Sequence, residues 1–264
     1  MITDANVTLS RWPFRRLIGD EPADLVAQLQ KQKVSQAWVG TFEGIFHKDI
    51  AGANARLVRD CDAYGPGFLL PFGSINPSLP DWQEDVRRCD QEHQMRGIRL
   101  HPNYHGYKLA DPAFAELLKL AAARGLIVQL ALCMEDERTQ HPLIRVAPVD
   151  LGPLADLVEA EPKLQLVLLN CYPQLQWDQV TKLASNHNVY FEISMVERAG
   201  GVAHLIKRVG LERVFFGSHY PLFYFESALL KVREAGLSRE EERALFEGNA
   251  QRLIMQPTKA GNER

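Results

Sequence analysis

The chain has 264 residues, enough to bury a large core, and its 46% hydrophobic and 24% charged residues are ordinary for a globular protein. The formal net charge of −3 gives no electrostatic reason to expect a nucleic acid or an anionic membrane as partner. Four widely spaced cysteines without a CxxC pair argue against a disulfide framework or a cysteine zinc site. No apolar run reaches the roughly 18 residues of a membrane helix, and no signal-peptide pattern begins the chain, so we predict a cytoplasmic location.

Short apolar runs alternate with helical patterns from one end of the chain to the other. The predicted strands are residues 2–8, 36–40, 68–73, 97–100, 126–131, 164–169, 189–193 and 214–217. Eight strand–helix repeats predict an α/β fold, a single-domain (β/α)8 TIM barrel over residues 1–255. An open doubly wound sheet is the alternative, although no G-x-G-x-x-G follows the first strand. The polar residues 256–264 are predicted to form a flexible C-terminal tail.

Polar residues recur on one side of the predicted strands. Side chains alternate between the two faces of a strand, and catalytic groups of barrels project from the carboxyl ends of the strands. The residues on the polar side are Asp4, Asn6, Thr8, Arg99, His101, Gln129, Asn170, Glu192, Ser194 and His219. Because they come from six strands and converge on one end of the barrel, they predict a functional site there.

Three segments resemble the amidohydrolase-2 family, a branch of the amidohydrolase superfamily. They are residues 213–221 (RVFFGSHYP), similar to its last barrel strand, residues 247–254 (EGNAQRLI), similar to its closing helix, and residues 97–102 (GIRLHP), similar to its fourth strand. The resemblance implies a TIM barrel and an enzyme related to metal-dependent hydrolases, decarboxylases and lactonases.

The family's metal-ligand positions carry other residues in this chain. The family has Asp-x-His-x-His on its first strand, single histidines on the fifth and sixth, and aspartate on the eighth. The corresponding residues here are Asp4 with Asn6 and Thr8, a position at or beside Ala131, then Asn170 and His219. A zinc site needs at least three nitrogen, sulfur or carboxylate ligands. We therefore expect that the usual zinc site is lost and that no metal or other cofactor is needed.

His219 is the first candidate for catalysis, since it occupies the family's aspartate position and imidazole transfers protons near its reference pKa of about 6.5. His101 is expected to assist it. The structural alternative for His219 is a histidine hydrogen-bonded to a backbone carbonyl behind the pocket.

Further residues are predicted to bind a small anionic substrate. Arg99 needs a buried partner, either a substrate carboxylate or Glu192. Arg138 and His141 lie in a long loop after the fifth strand and form, in the alternative interpretation, an internal network with Glu135. The remaining candidates are Arg11, Asn6, Asn170, Glu192 and His105.

Three interpretations stay open on the sequence. The first is a metal-independent hydrolase, lactonase-like or decarboxylase-like, for a small carboxylate-bearing compound. The second is a catalytically inactive barrel that binds a small anion. The third is a relocated metal site built from His101, His105, His141 and His219. No motif specifies an oligomeric state, so a homo-oligomer remains open.

Overall fold

In the computed structural model, which describes residues 1–171 and 177–256, eight parallel strands form one sheet in chain order. The strands are β1 (Ile2–Leu9), β2 (Val34–Thr41), β3 (Leu69–Ser74), β4 (Gly97–Leu100), β5 (Ile127–Ala131), β6 (Gln165–Leu169), β7 (Val189–Glu192) and β8 (Val214–Phe215). The chain is thus a single-domain (β/α)8 barrel, as the sequence predicts, and the first seven strands agree with the predicted ones within two residues.

Helices connect the strands and cover the outside of the sheet. They are α1 (Pro22–Lys31), α2 (Glu43–Phe46), α3 (Ile50–Tyr64), α4 (Trp82–Arg87), α5 (Pro102–His105), α6 (Pro112–Arg124), α7 (Leu154–Ala160), α8 (Trp177–Ala184), α9 (Gly201–Val209), α10 (Phe225–Glu234), α11 (Arg239–Arg243) and α12 (Asn249–Ile254). A π-helical turn, Arg88–Glu92, extends α4, another, Ala244–Gly248, joins α11 to α12, and a 3-10 turn, Leu211–Arg213, precedes β8. None of the helices in these ranges is long and apolar enough to cross a membrane.

Backbone contacts between β1 and the segment that follows β8 close the barrel. Ala5 N donates to Phe216 O at 3.0 Å, and Thr8 N donates to Tyr220 O at 3.0 Å. β8 is shorter than predicted, because beyond Phe215 the amide of Ser218 turns to the Asp4 carboxylate, 3.0 Å away. Residues 216–217 therefore belong to an irregular segment that continues alongside β1 as far as a parallel bridge between Val7 and Tyr220.

Apolar side chains fill the amino-terminal part of the barrel lumen. Trp38 stacks on Phe72 with ring centroids 5.1 Å apart, and Phe215 stacks on Tyr190 at 5.0 Å. Two residues beyond Phe72 and Tyr190, on the same face, lie the polar residues Ser74 and Glu192, and the candidate site lies on this apolar floor. The predicted tail, apart from Gln256, lies outside the described residues.

Candidate active site

A buried hydrogen-bond network joins the carboxyl ends of β1, β6 and β7. Asn6 Nδ2 donates to Asn170 Oδ1 at 2.8 Å, and Ser194 Oγ lies 2.9 Å from the same oxygen. Glu192 accepts from Asn170 N and from Ser194 Oγ, both at 2.6 Å. Burial raises the pKa of Glu192, and its hydrogen bonds with Ser194 and Asn170 oppose that shift. The network confirms that these side chains converge, while a role in substrate binding remains a prediction.

Asp4 supplies a second buried carboxyl group at the β1 end of the cluster. Its Oδ1 accepts from the amides of Asn6 and Ser218, both at 3.0 Å, whereas its Oδ2 is buried without a hydrogen-bond partner. Burial raises the pKa of Asp4 to about 7, and the nearby Glu192 carboxylate adds to the increase. A carboxyl group with this pKa can give or accept a proton at neutral pH.

Arg99 does not hydrogen-bond Glu192, one of the two partners that the sequence suggests. Its Nε donates to Gln129 Oε1 at 2.8 Å and its Nη1 to the carbonyl of Val7 at 2.8 Å. The remaining contacts reach Thr8 Oγ1 at 3.3 Å and the Trp38 carbonyl at 3.1 Å. The hydrogen bonds of the guanidinium thus connect β4 with β1, β2 and β5 across the lumen. Glu192 acts on it only at longer range, opposing the burial that lowers the Arg99 pKa to about 9.

His101, which follows β4, is buried with both ring nitrogens lacking a hydrogen-bond partner. Burial lowers its pKa well below the usual value, and the charges of His105, Arg99 and His219 act in the same direction. The ring is therefore neutral at pH 7. An unsatisfied buried imidazole is costly, so its two nitrogens are candidate contacts for a substrate or a water molecule.

His219 contacts a backbone carbonyl, as the structural alternative for it proposes. Its Nε2 lies 2.8 Å from Met134 O, and because a carbonyl only accepts, Nε2 carries the proton. The lone pair is then on Nδ1, which is buried without a partner. Burial lowers the His219 pKa to about 4, so the titration near neutral pH that the reference value suggests does not apply to this ring.

An aromatic cluster covers the carboxyl end of the barrel. Trp12, in the loop after β1, contacts Phe42 with ring centroids 5.1 Å apart and Tyr104 at 6.4 Å, and only 2% of its surface is exposed. Phe14 in the same loop stacks on His141 at 5.5 Å. This cluster leaves His101 and His219 about 1% exposed, so the site is closed in this conformation.

An ion pair fastens two loops above the cluster. Arg15, in the loop after β1, contacts Glu135, whose side chain is only 2% exposed, in the loop after β5. Glu135 directly follows Met134, which holds His219. The alternative network of Glu135 with Arg138 and His141 is therefore not formed, since Glu135 bonds Arg15 instead.

The structure does not bring the other predicted anion-binding groups into the barrel. Arg138 is 84% exposed and bonds Asp136, two residues away, with an Nη2–Oδ2 distance of 2.6 Å. Arg11 pairs with Glu21 at the surface. His105 Nε2 lies 2.9 Å from the Gly44 carbonyl, with its ring centroid 6.0 Å from that of His101. Of these, only His105 adjoins the site.

The side chains at the family's metal-ligand positions do not fit a divalent metal ion. Asn6 and Asn170 hydrogen-bond each other, Ala131 has no donor atom, and His219 Nε2 is turned to Met134. Within residues 1–171 and 177–256, no three His, Cys, Asp or Glu side chains are grouped so that they could hold one ion. No chemical step is therefore assigned to a metal here.

Sequence reasoning left two features out of the site. The sequence analysis puts Asp4 on the polar side of β1 but gives it no role of its own. The signal that could have identified it is its correspondence to the aspartate of the family's first-strand pattern. The contact of Arg15 with Glu135 joins residues 120 positions apart, and no local pattern signals it.

The family model described as amidohydrolase matches residues 11–254. Among solved structures, the fold is similar to 5-carboxyvanillate decarboxylase LigW from Sphingomonas paucimobilis, with a TM-score of 0.73, 15% identity and coverage of 97% of this chain and 99% of that chain. It is also similar to IDCase from Metarhizium anisopliae (TM-score 0.70, 14% identity, 96% and 97% coverage) and to 2,6-dihydroxybenzoate decarboxylase from Rhizobium (TM-score 0.63, 15% identity, 95% and 98% coverage). No curated protein sequence matches the chain. Identities this low show a shared fold alone.

Proposed function

Because the chain belongs to the amidohydrolase family, we propose that it is a metal-independent hydrolase of the lactonase type, acting on a small, flat lactone or ester. The observation that carries the proposal is the pair of buried, neutral imidazoles, His101 and His219, with unpartnered ring nitrogens at the carboxyl end of the barrel. Neutral imidazole with a free lone pair is a general base. The aromatic mouth favours a flat substrate.

The hydrolytic step follows from the tautomer of His219. Met134 O fixes the proton on Nε2, so Nδ1 accepts a proton from a water molecule as its oxygen attacks the substrate carbonyl. The carbon–oxygen ester bond then breaks, and the proton passes from Nδ1 to the leaving alkoxide oxygen. The products are a carboxylic acid and an alcohol, which in a lactone are one molecule. His101 contacts the same reacting group through its free nitrogens.

The proposal does not depend on a substrate carboxylate. Arg99 makes four hydrogen bonds inside the barrel, and Arg11 and Arg138 are paired at the surface. Substrate entry instead requires that a loop at the carboxyl end of the barrel moves, since both histidines are only about 1% exposed.

The test compares His219→Gln with His187→Gln on a panel of lactones and aryl esters. Glutamine at 219 can still donate an N–H towards Met134 O but cannot accept a proton, so kcat/KM should fall about a hundred- to ten-thousand-fold. His187 is exposed, and its variant should keep wild-type turnover. Thermal melting of both variants confirms that they are folded. Full turnover by His219→Gln, or no turnover by wild-type protein on any substrate that binds, would refute the hydrolase.

A second candidate is decarboxylation of an aromatic acid, favoured by the Asp4 carboxyl group with its pKa of about 7. Decarboxylation replaces a carbon–carboxylate bond by a carbon–hydrogen bond, and a protonated carboxyl group supplies that proton while carbon dioxide leaves. The named decarboxylases of similar fold act on aromatic acids. Carbon dioxide release from dihydroxybenzoates, lost in Asp4→Asn but retained in His219→Gln, would identify this reaction in place of hydrolysis.

A further inference from the structure

The backbone carbonyl that accepts from His219 Nε2 belongs to Met134, which lies in irregular backbone. Residues 132–136 follow the end of β5 and form neither helix nor strand. The rigid peptide plane that contains Met134 O also contains the amide of Glu135, so a turn of the Glu135 backbone moves the carbonyl oxygen. The position of the acceptor for the ring therefore depends on what holds its two chain neighbours.

One of these neighbours is held from inside the barrel and the other from the surface. Asn170 Nδ2 donates to the carbonyl of Cys133 at 2.7 Å, which fixes the inner side of the segment. On the outer side, the Glu135 carboxylate contacts the guanidinium of Arg15 in the loop after β1. The Met134 carbonyl thus lies between a buried amide and an ion pair.

The two members of the ion pair differ in exposure. The Glu135 side chain is 2% exposed, whereas that of Arg15 is 42% exposed. Burial raises the pKa of Tyr104, and the Glu135 charge adds to the increase, so the carboxylate lies near the aromatic cluster. A buried carboxylate that loses its cation is strongly destabilised. Without Arg15, we therefore expect Glu135 to turn towards water and its peptide plane to turn with it.

We propose that Arg15 and Glu135 are positioning residues for His219: their ion pair holds Met134 O in place, and this carbonyl holds the ring proton on Nε2. The lone pair then stays on Nδ1, the atom that accepts a proton in the hydrolysis. The inference deepens the proposed hydrolase and rests on it for its effect on turnover. The hydrogen bond itself exists without a substrate, so it can be tested separately.

The test follows exchange of the histidine ring protons with solvent at pH 7, by nuclear magnetic resonance of protein with isotope-labelled histidine. His219→Gln assigns the His219 signal by its loss. His105 is the internal reference, because its Nε2 lies 2.9 Å from the Gly44 carbonyl, which the ion pair does not hold. In Arg15→Gln, exchange of the His219 proton should speed up about three- to tenfold, as for the loss of one hydrogen bond, and exchange of the His105 proton should not change.

Two control variants separate the ion pair from general effects. Arg15→Lys keeps a cation next to Glu135, so the His219 ring proton should exchange at about the wild-type rate. Arg11→Gln removes a guanidinium from the same loop, where it pairs with Glu21 at the surface, and should leave both ring protons unchanged. Arginine 15 and arginine 11 are both exposed, so all three variants should fold.

Turnover gives a second, independent result. On a lactone that the wild type hydrolyses, Arg15→Gln should lower kcat about ten- to a hundred-fold with little change in KM, because the base is misplaced while the substrate contacts remain.

The proposal is overturned if the His219 ring proton of Arg15→Gln exchanges at the wild-type rate. It is also overturned if the His105 proton speeds up by the same factor, which would indicate a general loosening of the fold. Neither result bears on the hydrolase, which is judged by the turnover of the wild type and of His219→Gln.

Discussion

Arg99→Ala tests whether the central guanidinium supports the barrel or serves a ligand. The side chain is 1% exposed and donates to Gln129 Oε1, to Thr8 Oγ1 and to the carbonyls of Val7 and Trp38. Removal of the guanidinium leaves these four acceptors without their donor. Because they belong to β1, β2 and β5, the loss affects the part of the sheet that surrounds the lumen.

The expected cost follows from the hydrogen-bond count. Each buried acceptor that loses its partner costs about 1–3 kcal/mol, and water that enters the vacated space recovers part of it. We expect the free energy of unfolding to fall by about 3–5 kcal/mol. For a chain of this size, that corresponds to a melting temperature lower by roughly 10 °C.

Arg138→Ala is the matched control, because the same truncation there removes a guanidinium that is 84% exposed and paired at the surface. Its melting temperature should stay at the wild-type value. Thermal melts and urea titrations of both variants give the comparison. The reasoning fails if Arg99→Ala melts like the wild type, and an accompanying loss of ligand binding would return Arg99 to the role of anion contact that the sequence suggests.

Three further outcomes are expected. Asp4→Asn should remove a pH dependence of the free energy of unfolding. Because the Asp4 pKa is raised in the folded protein, protonated Asp4 stabilises the fold at acidic pH, and roughly 2–3 kcal/mol of this stability is lost as pH rises from 5 to 7. The melting temperature of the wild type should therefore fall relative to that of the variant over that window. Gly217→Ala should destabilise by about 1–3 kcal/mol, because the added methyl group overlaps Glu192 Oε2; an unchanged melt would contradict the packing. Arg15→Gln should speed amide hydrogen exchange in residues 132–136, since it unfastens Glu135, whereas Arg11→Gln should leave exchange there unchanged.

The barrel could be predicted from the sequence because its signals are local. Each strand is a short apolar run bounded by a helical pattern, and all eight strands fall within two residues of their predicted positions. β8 is the strand most shortened relative to its prediction, since its apolar run continues to Phe216 while its ladder ends at Phe215. What ends it is a carboxylate on β1, more than 200 residues away in the chain.

The convergence of the polar residues was also predictable, since alternation along a strand determines which side chains share the lumen. Their partners were not. Arg99 reaches the Val7 and Trp38 carbonyls because Gly40 leaves room: an added methyl group there would lie 2.9 Å from the Arg99 side chain. By contrast, Arg138 pairs at the surface with Asp136, two residues away, which is neither the predicted substrate contact nor the alternative network with Glu135.

The shifted pKa values could likewise not be predicted from the sequence. A reference value places the titration of His219 near neutral pH, but the shift comes from burial, which the sequence does not report. Burial also acts in opposite directions on imidazole and carboxyl groups, so it lowers the pKa of His219 to about 4 and raises that of Asp4 to about 7. The group that titrates near neutrality is consequently the carboxyl group and not the ring.

The charged groups of the cluster balance one another within the protein. Two carboxyl groups, Asp4 and Glu192, lie near each other in the lumen, and a buried negative charge needs compensation. Both carboxylates interact with the Arg99 cation, Glu192 also interacts with Lys231, and the raised pKa of Asp4 reduces the negative charge further. Asn6 and Asn170 then satisfy each other as neutral amides. The substitutions at the family's metal-ligand positions and the central arginine thus form one consistent arrangement, in which Asp4 Oδ2, both nitrogens of His101 and Nδ1 of His219 are the buried polar atoms left without partners.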